Sequence, residues 1–153
     1  MSMIGAVVVL LLGLAAPASA GGSTAASGGA TILAGPCGSS YALVGHHPVG
    51  NQITDKIDMY LDVYYSSTAR RNCLVANHSG DAYGQTRYSL AKIRPSGSAW
   101  PACPSVGCDQ GNYAYYAGPV YTPAGVDMSH RCVDIAGMAG IQVDKILYNQ
   151  HCG

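Results

Sequence analysis

Six cysteines, Cys37, Cys73, Cys103, Cys108, Cys132 and Cys152, restrict this chain more than any other feature, because all of them follow an apolar N-terminal run. That run, residues 4–16, ends at Pro17 and the small-residue site Ala18-Ser19-Ala20. It reads as an export signal over residues 1–20 cleaved before Gly21, and it is shorter than the ~20 apolar residues a spanning helix needs. No Lys or Arg precedes Ile4, so the true start is expected upstream of Met1. An even cysteine count in an exported chain predicts disulfides in an oxidising compartment. Cys103 and Cys108 bracket the short segment CPSVGC and are expected to pair. The other four allow three pairings. Of these, Cys73–Cys132, which joins two apolar strand-like runs, and Cys37–Cys152, which ties the first and last strands, are expected. Loop-closure entropy assigns about 4 kcal/mol to a ring as long as 73–132 and about 2 kcal/mol to the short one.

Within 153 residues the prior is one domain, placed at 37–153 behind a flexible Gly/Ala/Ser lead at 21–36. Glu is absent and Lys rare, while Tyr, Val, Ile, Thr and Gly abound, so summed propensity favours strands and turns over helices. The fold class expected is all-β: a small, disulfide-stapled antiparallel β-sandwich or barrel after a cleaved signal peptide. Eight basic residues balance eight acidic ones. With no basic face, nucleic acid is not an expected partner, and Arg70-Arg71 reads as a solvated turn.

The longest patterned run is 53–65, where Ile57, Met59, Leu61, Val63 and Tyr65 alternate with Asp58, Tyr60, Asp62 and Tyr64. Period two and aromatic content make it a strand. A first strand is expected at 41–44, ended by a turn at His46-His47-Pro48. Residues 73–76 return as a hairpin partner, and 86–93 alternate weakly, as an edge or half-exposed strand would. Residues 95–111 are aperiodic and hold Trp100. Four of the eleven tyrosines fall within 111–121, read as one long aromatic strand bent at Gly118. Its parity puts Tyr113, Tyr115 and Tyr121 on one side and Tyr116 on the other. Strands at 131–135 and 141–148, separated by a glycine turn at 137–140, complete the pattern.

Candidate chemistry is sparse. His46-His47 lacks further spaced ligands, so no metal and no cofactor is expected. Asp58 and Asp62, four residues apart on a strand, lie about 13 Å from each other and read as a solvated face. No G-x-S-x-G elbow occurs. The Asn77-His78-Ser79 sequon carries little weight beside a lead of bacterial style. Trp100, Tyr113, Tyr115, Tyr116 and Tyr121 are the candidate binding surface, because amphipathic rings give contact area at low entropic cost. For Tyr113, Tyr115 and Tyr116 packing in the core or on a sheet face is expected ahead of binding.

Several blocks together resemble the spore-associated protein A family, small exported proteins of filamentous spore-forming bacteria. They are Cys37-Gly38 with Tyr41, Pro48-Val49-Gly50, Tyr60-Leu61, Asn72-Cys73-Leu74-Val75, Asn112-Tyr113, Tyr115-Tyr116-Ala117-Gly118-Pro119-Val120-Tyr121, Cys132-Val133 and Cys152-Gly153. The resemblance implies an exported protein of spores or aerial growth with no assigned catalytic residue. Cys103 and Cys108 are additional to that family's four-cysteine pattern. Together these readings give a non-enzymatic secreted protein, extracellular or on the spore or cell surface, with spore or cell-wall components as partners and no membrane attachment after cleavage. The rival reading is a protease inhibitor or ligand-binding module using the loop 100–108, whose closure lowers the ordering cost of binding.

Overall fold

Alternating apolar and polar residues can bury one face of a strand and wet the other, and two such faces make a core. In the computed structural model, which describes residues 35–140 and 145–153, this produces β1 (Ala42–Gly50), β2 (Ile57–Ser66), β3 (Arg71–His78), β4 (Arg87–Pro95), β5 (Cys108–Tyr113), β6 (Tyr116–Tyr121), β7 (Val133–Ala139) and β8 (Lys145–Gln150). The signal at 1–20 and most of the lead at 21–36 lie outside the described residues. One sheet has the order β1-β2-β3-β6 and the other β5-β4-β7-β8, with every neighbouring pair antiparallel. Among the described residues no helix is long and apolar enough to cross a membrane.

The core follows strand parity. Met59, Leu61 and Val63 of β2 and Leu74 and Ala76 of β3 face Ala91 and Ile93 of β4 and Val133, Ile135 and Ala139 of β7. Each such Leu or Ile, removed from water, favours the fold by roughly 1.5–3 kcal/mol. The all-β expectation and the parity of β2 agree with this arrangement.

Several boundaries differ from the sequence reading, each for a physical reason. β1 runs on through His46, His47 and Pro48, because it is a sheet-edge strand and an edge tolerates a residue without an N–H. β4 is central, between β5 and β7; its weak alternation arises because Leu90 on the second face is also buried. The aromatic stretch is two strands in different sheets, broken at Ala114-Tyr115. Tyr113 therefore packs on the core while Tyr121 lies on the far face of the other sheet, so the two do not share a side. Gly137 lies inside β7, and the turn begins at Gly140.

Cys103–Cys108 forms as expected, but the other bridges are Cys37–Cys73 and Cys132–Cys152. Parity explains the correction. Leu74 and Ala76 point inward, so Cys73 points outward, away from the second sheet where Cys132 precedes β7. On that outer face it meets Cys37 in the segment entering β1. Both long-range bridges thus stay within one sheet.

The second sheet carries a buried charge. Asp134 of β7 is 2% exposed. Its Oδ1 accepts from Ser96 Oγ (2.6 Å) and the Asn149 amide (3.0 Å), and its Oδ2 accepts from Arg94 Nε (2.9 Å) and the Gly97 amide (3.4 Å). Arg94 in turn lies 4.1 Å over the Trp100 ring.

After β8 the chain crosses back to β1, where His151 Nε2 stands 2.9 Å from His47 Nε2. The ring centroids are 5.1 Å apart, so the imidazoles meet nearly end to end and share a single proton. Gly45 makes room, since a Cβ there would collide with the His151 ring. Burial lowers the pKa of both rings; His46 lowers His47 further, Asp62 opposes that, and His47 lowers His151. A histidine whose folded pKa lies below its unfolded value of about 6.5 stabilises above that pH and loses the contribution as pH falls. Acidification from pH 7.5 to 5 is therefore expected to lower the melting temperature and speed amide exchange at 149–151. In His151→Gln both pH responses should shrink. A wild-type response that His151→Gln leaves intact refutes the assignment.

Candidate functional site

The outer face of the first sheet is half covered. Over one half, residues 35–41 fold back, Cys37 is bonded to Cys73, and Tyr41 meets Tyr121 edge-on at 5.7 Å beside Tyr64 and Val75. Tyr121 is consumed there. Its hydroxyl donates to the Cys37 carbonyl (3.3 Å), and the Arg71 guanidinium lies 5.2 Å from its ring centre.

The other half is bare, and the register sets its contents. Pro48 of β1, Tyr60 of β2, Asn77 of β3 and Tyr116 of β6 stand in one cross-strand row, with His46 opposite Asp62 in the row beside it. All of these but Pro48, with His78, Tyr83 and Tyr115, line a groove of about 570 Å³. His46 stacks on Tyr60 at 4.0 Å with an interplanar angle of 15°. Its Nδ1 bonds Asp62 Oδ1 at 2.5 Å, and Asn77 Nδ2 donates to Asp62 Oδ2 at 2.7 Å. Tyr83, just after the short 3-10 turn Gly80–Ala82, meets Tyr115 edge-on at 5.2 Å.

The rim is held from beneath. Buried His78 donates from Nδ1 to the Ala114 carbonyl (3.1 Å), and its Nε2 is hydrogen-bonded to Ser89 Oγ of the second sheet (2.7 Å). The His78 amide donates to the Tyr115 carbonyl (2.8 Å) and the Gly84 amide to the Ala114 carbonyl (2.9 Å). Asp109 braces the other side, accepting from Tyr113 Oη and the Gly118 amide, each at 2.7 Å. This hydrogen bond, with burial, raises the Tyr113 pKa. Gly118 adopts φ 95°, and a Cβ there would press on the Leu74 carbonyl at 2.9 Å, so only glycine fits the bulge.

The expected binding residues are thus dispersed. Tyr115 and Tyr116 line the groove, Tyr113 supports it, Tyr121 belongs to the covered half, and Trp100 covers Arg94. The loop 100–108 is stitched down by Ile93 N to Gly107 O (2.9 Å) and Tyr121 N to Val106 O (2.7 Å).

Asp58 and Asp62 correct the solvated-face reading, being only 3% and 9% exposed. Asp58 accepts from Asn51 Nδ2 (2.8 Å), with Arg87 Nη1 at 3.9 Å. His46 and Asp62 resemble a base and its orienting carboxylate, but no serine or cysteine lines the groove for them to activate. Among the described residues no three His, Cys, Asp or Glu side chains converge to hold a metal. Sequence reasoning did not bring His46, Tyr60, Asp62, Asn77 and Tyr83 together in one groove. The available signal was the alternation Asp58, Tyr60, Asp62, Tyr64, which gives one strand face both rings and hydrogen-bonding groups.

Fold and site together define a small, disulfide-stapled antiparallel β-sandwich protein with an aromatic groove on one outer face. No family model and no solved structure matches the chain. Spore-associated protein A of Streptomyces coelicolor is 33% identical over 153 residues, spanning 100% of this chain and 85% of that protein. The chain belongs to the spore-associated protein A family, as its sequence blocks indicated.

Proposed function

We propose that this is a non-enzymatic protein, exported and retained at the spore or cell surface, and that the bare half of the first sheet is its attachment face. The carrying observation is the groove's exposed aromatic rim, where Tyr83, Tyr115 and Tyr116 are 63%, 53% and 44% exposed. Large rings left in water beside fixed polar groups mark a surface built to meet a partner. Membership of a family whose Streptomyces coelicolor relative is called spore-associated supports the setting, and three disulfides suit an oxidising exterior.

The test follows the protein in its producing organism. Wild-type chain should be recovered mainly with washed spores, whereas Tyr83→Ala/Tyr115→Ala, which alters only rim residues, should shift most of it to the medium. Recovery of the wild type in the medium alone overturns the reading. Unchanged retention of the double variant removes the groove from it.

A further inference from the structure

We infer that the groove binds a neutral, extended chain of pyranose sugars, laid across the strands of the first sheet from Tyr60 to Tyr116. The inference rests on the attachment reading and names the chemistry of what is bound. Tyr60 and Tyr116 stand in one row on either side of Asn77. Two interstrand steps separate them by about 9–10 Å, roughly the span of two linked sugar rings. Sugar rings present C–H faces that stack on aromatic side chains and equatorial hydroxyls that need in-plane partners. The groove supplies both in alternation. The Tyr60–His46 stack and Tyr116 flank the Asp62–Asn77 pair, whose amide-to-carboxylate bond fixes both polar groups before any ligand arrives.

Other ligand classes fit less well. No Lys or Arg lines the groove and Asp62 does, so an anionic chain would meet a carboxylate and no fixed positive charge. A cation would find a single carboxylate, since no Asp or Glu besides Asp62 lines the groove. A peptide adding to the sheet would pair with an edge strand, whereas Tyr60 and Asn77 stand on the inner strands β2 and β3. A volume of about 570 Å³ lies within the range of small-ligand sites.

The experiment is titration calorimetry of the mature protein with cellotetraose and chitotetraose, using choline and an oligoglucuronate as comparison ligands. At least one neutral tetrasaccharide should bind saturably. Tyr60→Ala and Tyr116→Ala should each weaken it about tenfold or more. Tyr148→Ala, on β8 of the other sheet and 55% exposed, should leave affinity unchanged. Tyr116 lies outside the core, so its variant tests the site even if Tyr60→Ala misfolds, which a melting curve reports. No binding of either sugar at millimolar concentration, tighter binding of choline or oligoglucuronate, or equal loss in Tyr148→Ala overturns the inference. Wild-type retention on spores without sugar binding overturns it and leaves the attachment reading standing. Sugar binding by a protein found only in the medium does the reverse.

Discussion

Asp134→Ala is expected to destabilise the domain by about 3–5 kcal/mol in urea denaturation, because removing one partner of a buried pair leaves the other charge unpaired. Arg94 would keep its position against Trp100 with its carboxylate gone, and the Ser96 hydroxyl and the Asn149 and Gly97 amides would lose their acceptor together. These donors come from the 94–97 segment and from β8, so the loss should also loosen the junction of β7 with β8. Burial pushes the Asp134 pKa up, but the bonds from Ser96, Asn149, Gly97 and Arg94 outweigh it and hold the carboxyl below its ordinary value. A depressed carboxylate stabilises at pH values above about 4 and loses that contribution as pH falls through its unfolded and then its folded pKa. Asp134→Asn should therefore show weaker acid sensitivity than wild type. A loss below about 1 kcal/mol in Asp134→Ala would mean that water replaces the carboxylate freely.

Removal of the Cys37–Cys73 bridge as Cys37→Ala/Cys73→Ala comes second. Its ring spans a separation of 36 residues, for which loop-closure entropy predicts about 4 kcal/mol. For a domain of this size that lowers the melting temperature by roughly 10–20 °C. The equivalent change at Cys103 and Cys108, separated by 5 residues, should lose about 2 kcal/mol. The long-ring variant should also become susceptible to proteolysis at 35–41, since that segment would then be held mainly by Tyr41 and the Tyr121 hydroxyl. Equal losses for the two rings would place the stabilisation in local packing and not in chain entropy.

Strand identity is legible in β2, and so is burial where apolar residues take one face, as at Met59, Leu61 and Val63. They were misread where polar residues are buried by something distant in sequence. Asp62 looked solvated because its partners, His46 and Asn77, arrive from two other strands. Pro48 looked like a turn because an edge position cannot be recognised from a single strand. The two long-range disulfide pairings differ for a related reason: apolar flanks place Cys73 near a core but do not say on which side of the sheet it points. The groove needs three registers at once, β1 on β2, β2 on β3 and β3 on β6, and no local pattern encodes their sum.

The turn at Ala114-Tyr115 is where the chain passes from one sheet to the other, and buried His78 ties it to β3 and, through Ser89, to β4. Mechanical load entering at Tyr115 is therefore shared between two layers. A pull applied at Tyr115 would load both sheets through His78, whereas a pull applied to β1 or β8 would load one edge strand.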